Sequence, residues 1–330
     1  MASLLTLPRE LRDRILRLVV SMPSKAPENH STEIDRVNLT KDVIFAQIRY
    51  KPRMNRTESI PTLLVSRQIH DETLAAINIL PSKHTYQLDI MLVDGLILYP
   101  TWLSIPTLTS VVDKVHTSIR IDLTAARAYH GFRLGCGGPP TLVWSYLAIL
   151  NRYLSFGPIG HPTNTSGFAI KVLEIDIVTP DVPESAFISP SRWGNVRRGY
   201  RRKRDTQAQE SSQENPEYVV PPSILANFLT DHMSILLGEW NDCYYWTKCQ
   251  LLFERVGTMR MAIDGEYCHE WDMAQLLQNA RLGHYGFRKA DDPAAEHKRW
   301  KMDVYKVRKQ LGLPVLPDEY HEADELETAM

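Results

Sequence analysis

Apolar residues recur at helical spacing from the start of the chain. Leu7, Leu11, Ile15, Leu18 and Val19 share one face, with Arg9, Arg12, Asp13 and Arg17 opposite, and Pro8 stands where such a helix begins. A second helix follows Pro61, with Leu64, Val65, Ile69, Thr73, Ala76, Ile77 and Leu80 on one side and Pro81 as its stop. Residues 21–60 between them are polar and irregular, save one candidate strand at 43–50.

The period then shortens to two. Tyr86, Leu88, Ile90 and Leu92 alternate with Gln87, Asp89 and Met91, and 119–123 and 173–177 alternate in the same way. A helical stretch at 141–156 separates the last two, so the order predicts a βαβ crossover with parallel strands. Alternation puts Asp89, Asp122, Glu174 and Asp176 on the solvent side or rim of the sheet. Residues 181–222 are rich in Pro, Ser, Gln, Glu and Arg, and read as a disordered basic linker.

Periodicity returns at 223–317. Helices are expected over 224–237 and 244–255, and Asp264-Gly265 between two alternating runs predicts a β-hairpin. Asp272 with Gln275 forms a capping box for a helix through Ala280. A last helix begins at Asp292-Pro293 and ends near Gly312 and Pro314, before an acidic tail at 318–330. The expected fold class is α+β. N-terminal helices (1–80, with an insertion at 21–60) pack on a mixed sheet (81–180), followed by C-terminal helices and the hairpin.

Composition narrows this reading. The 330 residues are 43% hydrophobic and 23% charged, ordinary values for a globular chain. A formal net charge of -1 gives no global attraction to nucleic acid or membrane, so charge-driven binding would have to be local. Charged residues interrupt the N-terminal apolar run, and no stretch reaches the roughly 20 apolar residues of a membrane span. An intracellular, soluble protein is expected. Four cysteines, Cys136, Cys243, Cys249 and Cys268, form no secreted disulfide framework, and their spacing suits zinc poorly.

Two segments carry a family resemblance. Leu7-Pro8-Arg9-Glu10-Leu11-Arg12 with Ile15 and Leu18 resembles the opening of an F-box. The stretch at 62–72 (T-L-L-V-S-R-Q-I-H-D-E) is similar to an F-box second helix, and together they look like the F-box-like proteins of filamentous fungi. The resemblance implies a non-catalytic interaction protein, a substrate receptor that docks to a Skp1-type adaptor of a ubiquitin ligase and holds an unknown protein target. It implies an adaptor face made by Leu7, Pro8, Leu11, Ile15, Leu18, Leu64, Val65 and Ile69, and no cofactor. The insertion at 21–60 departs from the standard motif, in which the two helices are close in sequence.

A second function class rests on charge. Residues 192–204 hold Arg192, Arg197, Arg198, Arg201, Arg202, Lys203 and Arg204, with Trp193 and Tyr200 interleaved. This pattern suits an importin or a nucleic acid, the aromatics stacking on bases. Catalytic motifs are missing: there is no G-x-S-x-G elbow, no H-E-x-x-H and no P-loop at the glycines of 135–138.

Overall fold

The computed structural model describes residues 4–38, 46–51, 66–125, 132, 139–158, 168–189, 193, 218–238, 246–281 and 292–316. Two helices come first, α1 (Arg9–Ser21) and α2 (Arg67–Ile79). A six-stranded sheet follows: β1 (Thr85–Val93), β2 (Ile97–Ser104), β3 (Val111–Ile121), β4 (Ala169–Ile177), β5 (Val256–Ile263) and β6 (Glu266–Asp272). Its helices are α3 (Thr141–Phe156), α4 (Pro222–Leu237), α5 (Trp246–Arg255), α6 (Met273–Asn279) and α7 (Pro293–Gln310). The fold is α+β.

Strands run in the order β2-β1-β3-β4-β5-β6. The four central strands are parallel, and an antiparallel hairpin closes each side of the sheet. The crossover β3–α3–β4 has the expected parallel pairing. Asp264 and Gly265 take positive φ values of 51° and 82°, which makes the expected hairpin turn. The β1–β2 hairpin uses the same device at Asp94 and Gly95, with φ 53° and 59°. Asp272 caps α6 by accepting from the backbone of Ala274 and Gln275.

Helices cover one face of the sheet. Leu88 and Ile90 of β1, Ile119 of β3, Ile175 of β4 and Met261 of β5 meet Tyr146 and Ile149 of α3 and Phe228 and Met233 of α4 in one continuous core. The flanks of the expected linker join it: Ile188, Trp193 and Val220 are core residues, and Phe187 bridges Val219. Those flanks are therefore packed structure, which corrects the sequence boundary, while 194–217 lie outside the described residues. The expected strand at 43–50 is seen only from 46, as bridges from Ile48 to Leu98 and from Tyr50 to Val37.

The opposite face carries the strand acids beside a small apolar cluster of Met91, Val93 and Ala125. Residues 24–36 cross it as a strap. Ser24 N–H donates to the Leu103 carbonyl at 2.7 Å. Arg120 donates to the Pro27 carbonyl. The backbone N–H of His30 donates to Asp122 at 2.7 Å, and Arg36 donates to the Pro100 carbonyl at 2.8 Å and to Thr101 at 2.5 Å. Among the described residues, no helix is long and apolar enough to cross a membrane.

Candidate functional site

The two motif helices come together despite the residues between them. Pro8 is the N-cap of α1, and Ser66 caps α2 by accepting from the Ile69 N–H. Arg12 of the first motif meets Glu72 of the second, Nε at 2.9 Å and Nη2 at 2.6 Å from the carboxylate oxygens. Arg12 Nη1 also donates to the Leu7 carbonyl at 2.5 Å, which ties the chain before α1 to the same clamp. Bonds from Arg12 and then Gln68 outweigh burial and hold the Glu72 carboxyl at about 2. Leu16, Ile69 and Ala76 form a small core between the helices, with Leu4 against it.

Successive residues of a helix turn by about 100°. On α1, Leu11, Ile15 and Leu18, followed by the C-cap Met22, therefore share an arc of about 60°, beside the arc of Arg12, Leu16 and Val20. The second arc is buried against α2. The first is exposed: Leu11 at 48%, Ile15 at 36%, Leu18 at 58% and Met22 at 65%. The apolar surface of α1 is thus wider than α2 covers. Of thirteen exposed large apolar residues among the described ones, seven lie on this helix pair and its flanking turns. Such clustering marks contact surfaces more than scattered exposure does.

The expected adaptor face divides accordingly. Leu11, Ile15, Leu18 and Pro8 are exposed, and Leu7 is half-buried. Ile69 is a correction: it is 1% exposed and belongs to the α1–α2 core, because the helical stripe of α2 faces α1. Leu64 and Val65 lie outside the described residues. The basic residues Arg192, Arg197, Arg198, Arg201, Arg202, Lys203 and Arg204, with Tyr200, also lie outside them. Trp193 is described and is buried edge-on against Phe132, centroids 5.1 Å apart, so it is not free to stack on a base.

The sheet's polar face holds the second arrangement, and it corrects the solvent-side reading of its acids. Asp89, Asp122, Glu174 and Asp176 are all buried. Each has its own donors. Arg120 pairs with Asp89 at 2.7 Å, and Thr124 and His30 bind Asp122. The Gly265 N–H donates to Asp176 at 3.0 Å. Glu174 receives Lys114 Nζ at 2.8 Å, His116 Nδ1 at 2.7 Å and the Tyr267 hydroxyl at 2.5 Å. Burial raises the Glu174 carboxyl, and the bonds from Lys114, Tyr267 and His116 outweigh it, leaving about 2. His116 Nε2 lies 3.4 Å from Ser118 Oγ, completing a Ser–His–Glu sequence of contacts that alternation in the sequence could place on one face but not bring into register with β4.

Cys249 is buried in the core and Cys268 is exposed on β6, while Cys136 and Cys243 lie outside the described residues. Among the described residues no three His, Cys, Asp or Glu side chains gather as a metal site. No family model, curated protein or solved structure matches the chain.

Proposed function

We propose that this chain is a protein-interaction subunit that docks through the outer face of α1, with a Skp1-type adaptor of a ubiquitin ligase as its partner. The observation that carries the reading is the exposed arc of Leu11, Ile15, Leu18 and Met22 on a helix whose other side is locked to α2. A helix laid into an apolar groove is recognised through anchors at this spacing. The Arg12–Glu72 clamp supports the reading further, since it joins the two resembling segments and fixes Leu7 and Pro8 beside the arc. The sheet and C-terminal helices then form the body that would hold a target.

The test is co-purification with the adaptor. Wild type is expected to form a stable complex, and Leu11→Asp and Leu18→Asp to lose it while keeping the wild-type melting temperature. A folded, monodisperse wild-type chain that captures no adaptor refutes this reading.

A further inference from the structure

A nucleophile, a base and an acid stand in line on the polar face of the sheet. Lys114, His116, Ser118 and Arg120 occupy alternate positions of β3 and so point to one face. His116 and Ser118 are both partly accessible. The strap borders this ground on one side, where Arg120 holds the Pro27 carbonyl. Tyr267 borders it on the other, reaching from β6 to Glu174, with Arg260 stacked 5.4 Å from its ring centre.

We propose that Ser118 is a nucleophile for acyl transfer, with His116 as its general base and Glu174 as the positioning residue for His116. Three relations support this. Ser118 Oγ faces Nε2 of His116 at 3.4 Å, a length at which such pairs stand before substrate tightens them. Nδ1, the other ring nitrogen, faces Glu174 at 2.7 Å, and an ionised acceptor there selects the tautomer that leaves Nε2 free to take a proton. Glu174 is itself held by Lys114 and Tyr267, so the imidazole has a fixed seat.

In the forward step Ser118 Oγ bonds to the carbonyl carbon of an ester as its proton passes to His116 Nε2. The ester C–O bond then breaks, and the leaving alkoxide takes that proton, which frees an alcohol. Water, deprotonated by the same nitrogen, attacks the acyl-serine, and the proton returns to Ser118 as the carboxylic acid leaves. The backbone N–H groups of the central strands are committed to the sheet, so a side chain must meet the developing oxyanion. Arg120, the next residue of β3 on the same face, would be the cation for it; its Nε and Nη2 are paired with Asp89 and the Pro27 carbonyl, so Nη1 is the nitrogen left to serve. Asp89 and Asp176 pair with Ser118 in register; Arg120 offsets the charge of Asp89, while Asp176 keeps a carboxylate beside the serine, which favours a neutral ester over an anionic one.

The test uses the full chain, a fluorophosphonate probe and p-nitrophenyl acetate. Labelling is expected on Ser118, mapped by peptide mass spectrometry, and abolished in Ser118→Ala. His116→Gln is expected to slow labelling and ester hydrolysis about 100-fold, the scale of a lost general base. Glu174→Gln should slow labelling and move its pH profile, which a loss of packing alone would not do. Ser118→Cys guards against a folding artefact: its thiol should react with iodoacetamide faster than Cys268, and lose that advantage when His116→Gln is added. A folded wild type that resists the probe, labelling that persists in Ser118→Ala, or a His116→Gln rate equal to wild type would each overturn the proposal.

Discussion

Leu11 and Leu16 lie five residues apart on one short helix, and truncating each to alanine should have opposite consequences. Leu16 is 1% exposed and packs on Ile69 and Ala76. Removing its three outer carbons forfeits about 2.4 kcal/mol at roughly 0.8 kcal/mol per methylene, before any cavity is counted. The cluster is small and can partly collapse, so the full cost is set at about 3 kcal/mol, near the low end for buried Leu→Ala. Leu11 is 48% exposed, so the same truncation there should cost about 1 kcal/mol or less. Native-state hydrogen exchange over 9–21 and 67–79 reads both numbers locally, without requiring global unfolding. Leu16→Ala should speed exchange in both helices about 100-fold, and Leu11→Ala less than tenfold, by the 1.4 kcal/mol per decade rule. Adaptor capture should show the reverse weighting, with Leu11 decisive. Equal destabilisation by the two substitutions would refute the division of α1 into a packed and a presented face.

Gly257 of β5 would place a Cβ 2.4 Å from the Lys171 carbonyl oxygen, so Gly257→Ala must push β5 off β4. An overpacking cost of about 1–3 kcal/mol is expected, seen as a lower urea midpoint. Arg308 is fully buried and donates to the carbonyls of Phe253 at 2.5 Å, Val256 at 2.8 Å and Pro314 at 2.8 Å, joining α7 to the end of α5. Burial pulls its guanidinium down to about 10, which leaves it charged at neutral pH. Arg308→Ala orphans three carbonyls and should cost about 3 kcal/mol or more in thermal or urea melts, and Arg308→Lys should recover only part of it. Glu174 is lowered from the ordinary 4.5 to about 2, so its stabilisation is present above about 4.5 and is lost as pH falls from there toward 2. Glu174→Gln should flatten that stretch of the acid-unfolding curve, and an unchanged curve would contradict the assignment.

Much of the architecture was legible because the signals were local. The helix at 141–156, the Asp264-Gly265 turn and the Asp272 cap each follow from a few neighbouring residues. The β1–β2 hairpin turns on the same Asp-Gly signal, at Asp94-Gly95, but without the flanking alternation that makes it legible at Asp264-Gly265. Next to the turn, Ile90 to Val93 and Ile97 to Leu98 are apolar on both faces of the sheet, and there the alternation that marks the start of β1 fades. The fate of the acids was illegible for a related reason. Period two assigns Asp89 and Glu174 to one side of the sheet, but a strap from 24–36 and side chains from β3 and β6 then bury that side. On α1, periodicity located an apolar arc wider than one contact. It could not say that Leu16 faces α2 while Leu11 and Leu18 face outward, nor that Ile69 is spent on the α1–α2 core.

The last strand of the sheet has a bearing on how the chain survives its own folding. A sheet with four parallel central strands depends on contacts between distant residues, which form slowly and leave edges bare meanwhile. An uncovered edge invites strands from other molecules and the growth of fibrils. β2 and β6 are the edges; residues 47–49 bond to β2 at Leu98, and among the described residues β6 has no strand beyond it and carries Glu266, Glu270 and Asp272 among its seven residues, Glu270 paired with Arg260. A second copy approaching edge to edge would bring like charges together at about 4.8 Å strand spacing. Acidic side chains on such an edge disfavour that pairing.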